Sequence, residues 1–214
     1  MLSPAADRAR ALSLVPLPPD AEARLARLVD LLGRWRALAN LVSEASFAEV
    51  WTRHVADSAQ LLALAPDARR WVDLGSGAGF PGLVLAIQLA DVPGARVHCI
   101  ESDRRKCAFL REVARAAGAP AEIHPVRIES IDPNALAPVD AVVARALAPL
   151  PRLIEFAKVW IDHGAVGVFP RGRSAEAQLE TLAAAPDLAI DLVASRLDPE
   201  AAIVRVRSAS KACP

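Results

Sequence analysis

The chain has 214 residues, of which 53% are hydrophobic and 23% charged. This composition excludes a globally disordered chain and provides enough apolar material for one buried core. Lysine plus arginine and aspartate plus glutamate number 25 each, so any attraction to phosphate must come from local clusters and not from net charge. Three cysteines without a CxxC pair indicate reduced thiols.

The first residues carry scattered charges and lack the apolar segment of a signal peptide. The longest apolar stretches, such as 83–90, are about half the length of a membrane span. We therefore expect a soluble, cytoplasmic protein with no membrane partner.

Helical patterns fill the first third of the chain. Prolines at 16, 18 and 19 interrupt the chain early. Asp20 is then placed to cap a helix whose leucines recur at helical spacing as far as Leu38. A second helical segment is predicted over 47–64. We expect residues 1–66 to form a helical extension packed on a core formed by residues 67–214, in one compact unit.

Strands alternate with helices after residue 70. The pattern predicts strands at 71–74, 96–101, 121–126, 139–144, 164–169, 188–193 and 201–206, and helices at 81–89, 103–117, 150–161 and 175–184. This alternation predicts a mainly parallel sheet with helices on both faces. Because no helix separates the last two strands, one of them should be antiparallel. This α/β arrangement of seven strands resembles the class I S-adenosylmethionine-dependent methyltransferase fold.

A glycine-rich loop follows the first predicted strand, where open α/β sheets bind ligands. Two patterns overlap there: the dinucleotide fingerprint GxGxxG at 77–82, and the acidic-GxGxG pattern of methyltransferases at 73–79. The first is weak evidence by itself. The acid at Asp73 suits a cofactor amino group and would repel a pyrophosphate, and Pro81 removes an amide that a phosphate site would use.

A dinucleotide-binding domain would continue with a second mononucleotide-binding half, whereas this chain ends in a pair of strands. These features together favour S-adenosyl-L-methionine as the ligand of the loop. We expect Gly75, Gly77 and Gly79 to contact it. A nicotinamide or flavin dinucleotide, or a turn without a ligand, remains the alternative. Glu101 ends the second strand, where a carboxylate can accept hydrogen bonds from ribose hydroxyls. Its alternative role is a helix-capping or surface acid, although Asp103 is better placed to cap.

Further segments resemble one family in order and spacing over about 35–172. They are Asn40-Leu41-Val42-Ser43, Arg53-His54-Val55-Ala56-Asp57-Ser58, 72–82, 101–111, Arg127-Ile128-Glu129, Ala144-Arg145-Ala146 and Arg171-Gly172. Together they resemble the RsmG or glucose-inhibited division protein B family, which methylates guanine N7 in bacterial 16S ribosomal RNA. The resemblance implies that the substrate is this RNA or the small ribosomal particle.

The resemblance also implies residue roles. Gly75 and Phe80 would contact the cofactor, Ile128 and Glu129 would flank its adenine, and Arg145 would lie where cofactor and substrate meet. The alternative for Arg145 is a surface arginine with a buried stem.

Arg53 and Arg171 are the main candidates for RNA contact, and the further cations are Arg104, Arg105, Lys106 and Arg173. The 104–106 run could equally be a solvated helix face. The chain departs from the family at Arg171, where members usually carry lysine, and before Asn40, where an aromatic residue is missing. If family members stack an RNA base on that aromatic residue, this chain must hold the base elsewhere or more weakly.

Guanine N7 carries a lone pair and no proton, so its methylation requires no general base, and we assign no catalytic residue. The sequence accordingly shows no nucleophile–base pair, no HExxH and no convincing metal cluster, and we expect no metal. His54 and Asp57 read as a structural pair on a helix. A methyltransferase of a small molecule or protein, a dinucleotide-dependent oxidoreductase and a non-catalytic interaction domain remain rival functions.

Overall fold

The structure is a computed structural model that describes residues 3–172 and 186–211. Seven strands form one sheet in the order β3-β2-β1-β4-β5-β7-β6. The strands are β1 Arg70–Leu74, β2 Arg96–Ile100, β3 Ala121–His124, β4 Ala141–Val143, β5 Val166–Arg171, β6 Leu188–Ala194 and β7 Ala202–Ser208. The first five are parallel, and β7 runs antiparallel between β5 and β6. The predicted sheet with an antiparallel strand at its end is confirmed.

Seven α-helices surround this sheet within the described residues. They are α1 Pro4–Leu14, α2 Pro19–Ala39, α3 Glu44–Phe47, α4 Asp57–Ala59, α5 Gly82–Gln88, α6 Arg104–Ala117 and α7 Leu150–Asp162. A π-helical segment, Trp51–Ala56, precedes α4, and a 3₁₀ segment, Gln60–Leu64, follows it. No helix in the described ranges is long and apolar enough to cross a membrane.

The apolar core lies on both faces of the sheet. On one face, α2 packs on α5 and α6, and Leu25 and Leu28 share a buried cluster with Trp71 and Phe109. On the other face, α7 covers strand residues such as Val142. The N-terminal helices thus contribute side chains to the same core as the strands. The division of the chain at residue 66 stays a prediction.

The local signals around α6 are confirmed. Asp103 accepts hydrogen bonds from the amides of Arg105 and Lys106 at the start of the helix, and Gly118 ends it in the left-handed region at φ 61°. Cys99 and Cys107 are buried free thiols, as the reduced-thiol prediction requires. Cys213 and the helix predicted at 175–184 lie outside the described residues.

The N-terminal part of the structure differs from the sequence predictions at three places. Helix α1 was not predicted, although Ser3 caps it and Pro4 opens it, which is a usual helix start. Asp20 does not cap α2, because that helix begins at Pro19 with Pro18 in the cap position. The segment at 47–64 is broken after α3 and resumes with π-helical hydrogen bonding instead of running as one helix.

Strand ends also differ by one or two residues. The third strand ends at His124 rather than 126, and β4 is confined to three residues. The fifth strand reaches Arg171 because Pro170 and Arg171 pair with the antiparallel β7. This pairing places Arg171 at the carboxyl edge of the sheet.

Gly82, the first residue of α5, packs against the buried Asp73 side chain. A methyl group at Gly82 would lie 2.4 Å from an Asp73 carboxylate oxygen and 2.8 Å from its Cβ, which cannot move without the strand. We expect Gly82→Ala to lower the free energy of unfolding by about 1–3 kcal/mol through overpacking. Urea denaturation measures this. Gly172→Ala is the control, since a methyl group there meets nothing within 4 Å, and equal stability of both variants would contradict the prediction.

Candidate active site

The loop after β1 is built on glycines that adopt positive φ. Gly75, Gly77 and Gly79 have φ of 70°, 55° and 85°, values that residues with a side chain rarely adopt. Beneath the loop, Asp73 is fully buried and accepts a hydrogen bond from the Gly82 amide at 3.1 Å. Burial raises the pKa of Asp73 to about 6, and its other oxygen has no hydrogen-bond partner in the structure.

A cavity of about 610 Å³ opens above this loop. Its walls come from the ends of β1 and β2 and from the segments that follow β3 and β4, as expected for the carboxyl edge of a parallel sheet. The lining residues include six of those predicted from the sequence: Gly75, Gly77, Glu101, Ile128, Glu129 and Arg145. Its size lies within the range of small-molecule sites.

Glu101 anchors the loop to the second strand. Its two carboxylate oxygens accept hydrogen bonds from the amides of Gly77 at 2.9 Å and Asp103 at 2.8 Å. The side chain is buried, so Glu101 is not a surface acid, and the helix cap is supplied by Asp103. A carboxylate oxygen can accept more than one hydrogen bond, so both oxygens retain acceptor capacity toward the cavity.

Two predicted contact residues do not line this cavity. Phe80 is buried and stacks on His54 with ring centroids 4.9 Å apart. Gly79 faces α5, where a methyl group on it would lie 2.5 Å from a Leu83 methyl carbon. In the structure both residues pack on the side of the loop away from the cavity, Phe80 against His54 and Gly79 against Leu83.

Arg145, just after β4, is held by groups from the π-helical segment and from the start of α4. Its guanidinium donates to the Arg53 carbonyl at 3.0 Å, to a His54 ring nitrogen at 2.7 Å and to an Asp57 carboxylate oxygen at 3.3 Å. It also lies 5.4 Å from the Phe80 ring centroid, within the range of a cation–π contact. In contrast to a surface arginine with only its stem buried, the guanidinium itself is tied into a network of contacts.

His54 is the neutral member of this network. Burial, reinforced by the charges of Arg145 and Arg53, lowers its pKa to about 3. Because the guanidinium can only donate, Nδ1 of His54 must accept, which leaves Nε2–H to donate to the Ser46 hydroxyl at 2.5 Å. Ser46 thus fixes the ring from α3. The π-helical hydrogen bonding occurs here at a candidate site, as such segments often do.

The lowered pKa of His54 has a measurable consequence. Below about pH 6.5 His54 becomes protonated in the unfolded chain, whereas in the folded chain it stays neutral down to about pH 3. Acidification therefore favours the unfolded chain and lowers the free energy of unfolding. We expect its NMR signals not to titrate between pH 8 and 5. As the pH falls from 6 to 4, the free energy of unfolding of the wild type should decrease, relative to that of His54→Gln, by up to about 1.4 kcal/mol per pH unit. The prediction fails if the His54 signals titrate near pH 6.5.

A larger cleft of about 1180 Å³ adjoins the first cavity. The two share the segment 145–148 as a common wall. Arg53 and Arg171, the main candidates for RNA contact, line the larger cleft, and Arg171 also donates to the Ala148 carbonyl at 3.0 Å. Lys106 instead lines the smaller cavity, and Arg104 and Arg105 are exposed and line neither. Arg173 lies outside the described residues.

Sequence reasoning missed several residues of this region. Arg10 lines the larger cleft from the unpredicted α1, and Asp7 from the same helix accepts hydrogen bonds from the amides of Trp51 and Thr52. The Ser3-Pro4 helix start was the signal that could have revealed them. His54 and Asp57 were assigned a structural pairing, whereas the structure joins each of them to Arg145.

The fold is similar to that of several solved structures. The chain is similar to cofactor-bound Rv0187 from MTB, with a TM-score of 0.60 and 21% identity over 97% of this chain and 98% of that one. It is also similar to the O-methyltransferase from Bacillus cereus in complex with SAH, with a TM-score of 0.61 and 18% identity over 93% and 96%. These likenesses show that the chain has the class I methyltransferase fold.

The sequence comparisons define the family. Residues 21–194 match the family model GidB, described as rRNA small subunit methyltransferase G. The ribosomal RNA small subunit methyltransferase G of Methylorubrum populi is 50% identical over 87% of this chain and 88% of its own. That of Methylobacterium sp. strain 4-46 is 47% identical over 97% and 98%. The chain belongs to the rRNA small subunit methyltransferase G family, so the resemblance to the RsmG family is confirmed.

Proposed function

We propose that the protein transfers the methyl group of S-adenosylmethionine to N7 of a guanine in 16S ribosomal RNA. The observation that carries this proposal is the pair of cavities that meet at Arg145, one beside the glycine loop and the other lined by arginines. A cofactor in the first and a flipped or single-stranded base in the second would meet at that wall.

The smaller cavity suits the cofactor chemically. Gly75 and Gly77 leave room at the loop, and Glu101 offers carboxylate oxygens to ribose hydroxyls. Ile128 offers an apolar surface to one face of an adenine, with Glu129 beside it. We assign Gly79 and Phe80 an indirect role, since both support the loop and the Arg145 network rather than the cavity wall.

The mechanism we infer is one of positioning. When bound, the cofactor would supply an electrophilic sulfonium methyl group. Guanine N7 would bond to it with a lone pair that needs no deprotonation, while the sulfur–methyl bond breaks and S-adenosylhomocysteine leaves. The chain must hold N7 in line with that methyl group and exclude water. Arg145 is placed to do this at the junction, because three fixed acceptors and the Phe80 ring determine where its guanidinium points.

Arg53 and Arg171 are proposed to bind RNA phosphates at the larger cleft. Arg10 adds a third cation from α1. Acidic side chains, among them Glu49 and Asp198, line the same cleft, so these arginines are local contacts in a mixed surface and not a continuous basic field. We infer that the substrate is ribosomal RNA or the small ribosomal particle in the cytoplasm, and that the transfer itself requires neither a metal ion nor a membrane.

The proposal is tested by mapping 7-methylguanosine in 16S ribosomal RNA from strains with and without the gene. We expect one 7-methylguanosine to disappear in the deletion strain and to return with the wild-type gene but not with the Gly75→Asp variant. Calorimetry on the purified protein separates the two halves of the claim. Binding of S-adenosylmethionine with unchanged 16S RNA would refute the substrate and leave the cofactor intact.

A further inference from the structure

Three side chains with metal-binding atoms converge on the outer part of the sheet, on β2 and β3. His98 lies opposite Glu122 in the strand register, and His124 lies two positions further along β3. Residues at positions i and i+2 of a strand, and residues directly paired across strands, point to the same face. All three side chains therefore leave the sheet on one side.

Their donor atoms lie at ligand-to-ligand distances. His98 Nδ1 and His124 Nε2 are 3.0 Å apart, and oxygens of Glu122 lie 3.7 Å from the first and 3.9 Å from the second. A tetrahedral zinc ion with bonds of about 2.0–2.2 Å holds neighbouring ligand atoms about 3.3 Å apart. The three observed distances fall on either side of that value, so a cation can enter with small side-chain adjustments.

A hydrogen bond between the two rings would explain the 3.0 Å distance without a cation. It does not explain the carboxylate, which stands at nearly equal distances from the same two nitrogens and beyond hydrogen-bonding range of both. Glu122 is also 3.6 Å from Arg96, which supplies a counter-charge that a metal ion would replace. The carboxylate thus faces the point where a cation bound by both imidazoles would lie.

We propose that His98, Glu122 and His124 form a binding site for a divalent transition-metal ion such as Zn²⁺. Two imidazoles with one carboxylate suit zinc and its neighbours better than magnesium or calcium, which prefer oxygen ligands alone. A fourth ligand, such as water, can enter from a cavity of about 290 Å³ lined by Arg96, His98 and Glu122. The proposal departs from the sequence prediction of no metal, because His98 lies on a different strand from Glu122 and His124 and is 24 positions from the nearer of them.

The ion would join the edge strand β3 to its neighbour. The end of β3 is connected to the smaller cavity. The His124 carbonyl accepts a hydrogen bond from the Glu101 amide, and the chain continues from His124 to Ile128. Glu101 and Ile128 both line the smaller cavity. The site is separate from the atoms that take part in methyl transfer, so its existence does not depend on the proposed function.

The test is calorimetric titration of the full chain, stripped of metal by a chelator, with Zn²⁺. We expect one saturable site, binding at least about tenfold weaker in His124→Gln and Glu122→Gln, and unchanged binding in the control His163→Asn, whose imidazole contacts the Val159 carbonyl. Zn²⁺ should also raise the melting temperature of the wild type more than that of either site variant.

Glu122 is half exposed, so Glu122→Gln should fold even if His124→Gln does not. With Co²⁺ in place of Zn²⁺, the visible absorption of a tetrahedral ion should appear in the wild type and decrease in Glu122→Gln. Absence of saturable binding in the wild type, or equal binding by the wild type and Glu122→Gln, would overturn the proposal and leave a hydrogen-bonded imidazole pair.

Discussion

Gly75→Asp is expected to raise the dissociation constant for S-adenosylmethionine by about 100-fold or more, which corresponds to about 2.7 kcal/mol. Gly75 has a φ of 70°, and a Cβ on it would lie 2.7 Å from a Leu147 methyl carbon at the wall shared by the two cavities. A side chain at this φ strains the backbone equally in the free and the cofactor-bound protein, so this strain does not change the affinity. The loss of affinity therefore comes from the carboxylate that fills the cavity beside Glu101.

Gly118→Asp is the matched control for this variant. Gly118 also has a positive φ, of 61°, but a Cβ there meets nothing within 4 Å and the residue lies at the end of α6, outside the cavity lining. It should lose stability, as a left-handed residue with a side chain does, and keep its affinity. Calorimetry with S-adenosylmethionine and thermal unfolding measure the two effects. Wild-type affinity in Gly75→Asp would refute the assigned cofactor position.

Arg145→Ala is expected to reduce kcat/KM for methyl transfer by roughly 100-fold, because a substrate held about 1 Å out of place loses that much. The same change leaves the Asp57 carboxylate without its ion pair, and burial already raises the pKa of that group. We therefore expect a loss of stability of about 2 kcal/mol as well, less than for a fully buried pair because both side chains are partly exposed.

A double variant separates the two effects of removing Arg145. Arg145→Met combined with Asp57→Asn removes both charges and keeps most of the volume, so stability should return while activity stays low. Arg145→Lys retains the charge but not the planar fork that serves three acceptors at once, and it should also be impaired. Methyl transfer to small-subunit particles lacking the modification is the assay. Near wild-type activity of the stable double variant would contradict a positioning role.

Local features of this fold could be predicted from the sequence because their causes lie within a few residues. The Asp103 cap, the Gly118 end of α6 and the glycine loop each depend on neighbours in the chain. Six of the predicted cofactor-site residues follow the same logic, since parallel strands bring their carboxyl ends to one edge.

The Arg145 network could not be predicted in the same way. Its contacts with His54 and Asp57 join residues 91 and 88 positions apart, and no local pattern specifies such pairings. The break in the predicted helix at 47–64 has a similar origin. The Asp7 carboxylate accepts hydrogen bonds from the amides of Trp51 and Thr52, so a helix far away in sequence determines where the π-helical segment begins.

The common wall formed by residues 145–148 has a consequence for inhibitor chemistry. A compound that joins an adenosine-like group to a purine by a short linker over Leu147 would occupy both cavities at once. Linking two ligands raises the effective concentration of the second group, so such a compound should bind more tightly than either half. With the cofactor position proposed above, the adenosine half would resemble the cofactor, so selectivity over other methyltransferases would have to come from the purine half in the larger cleft.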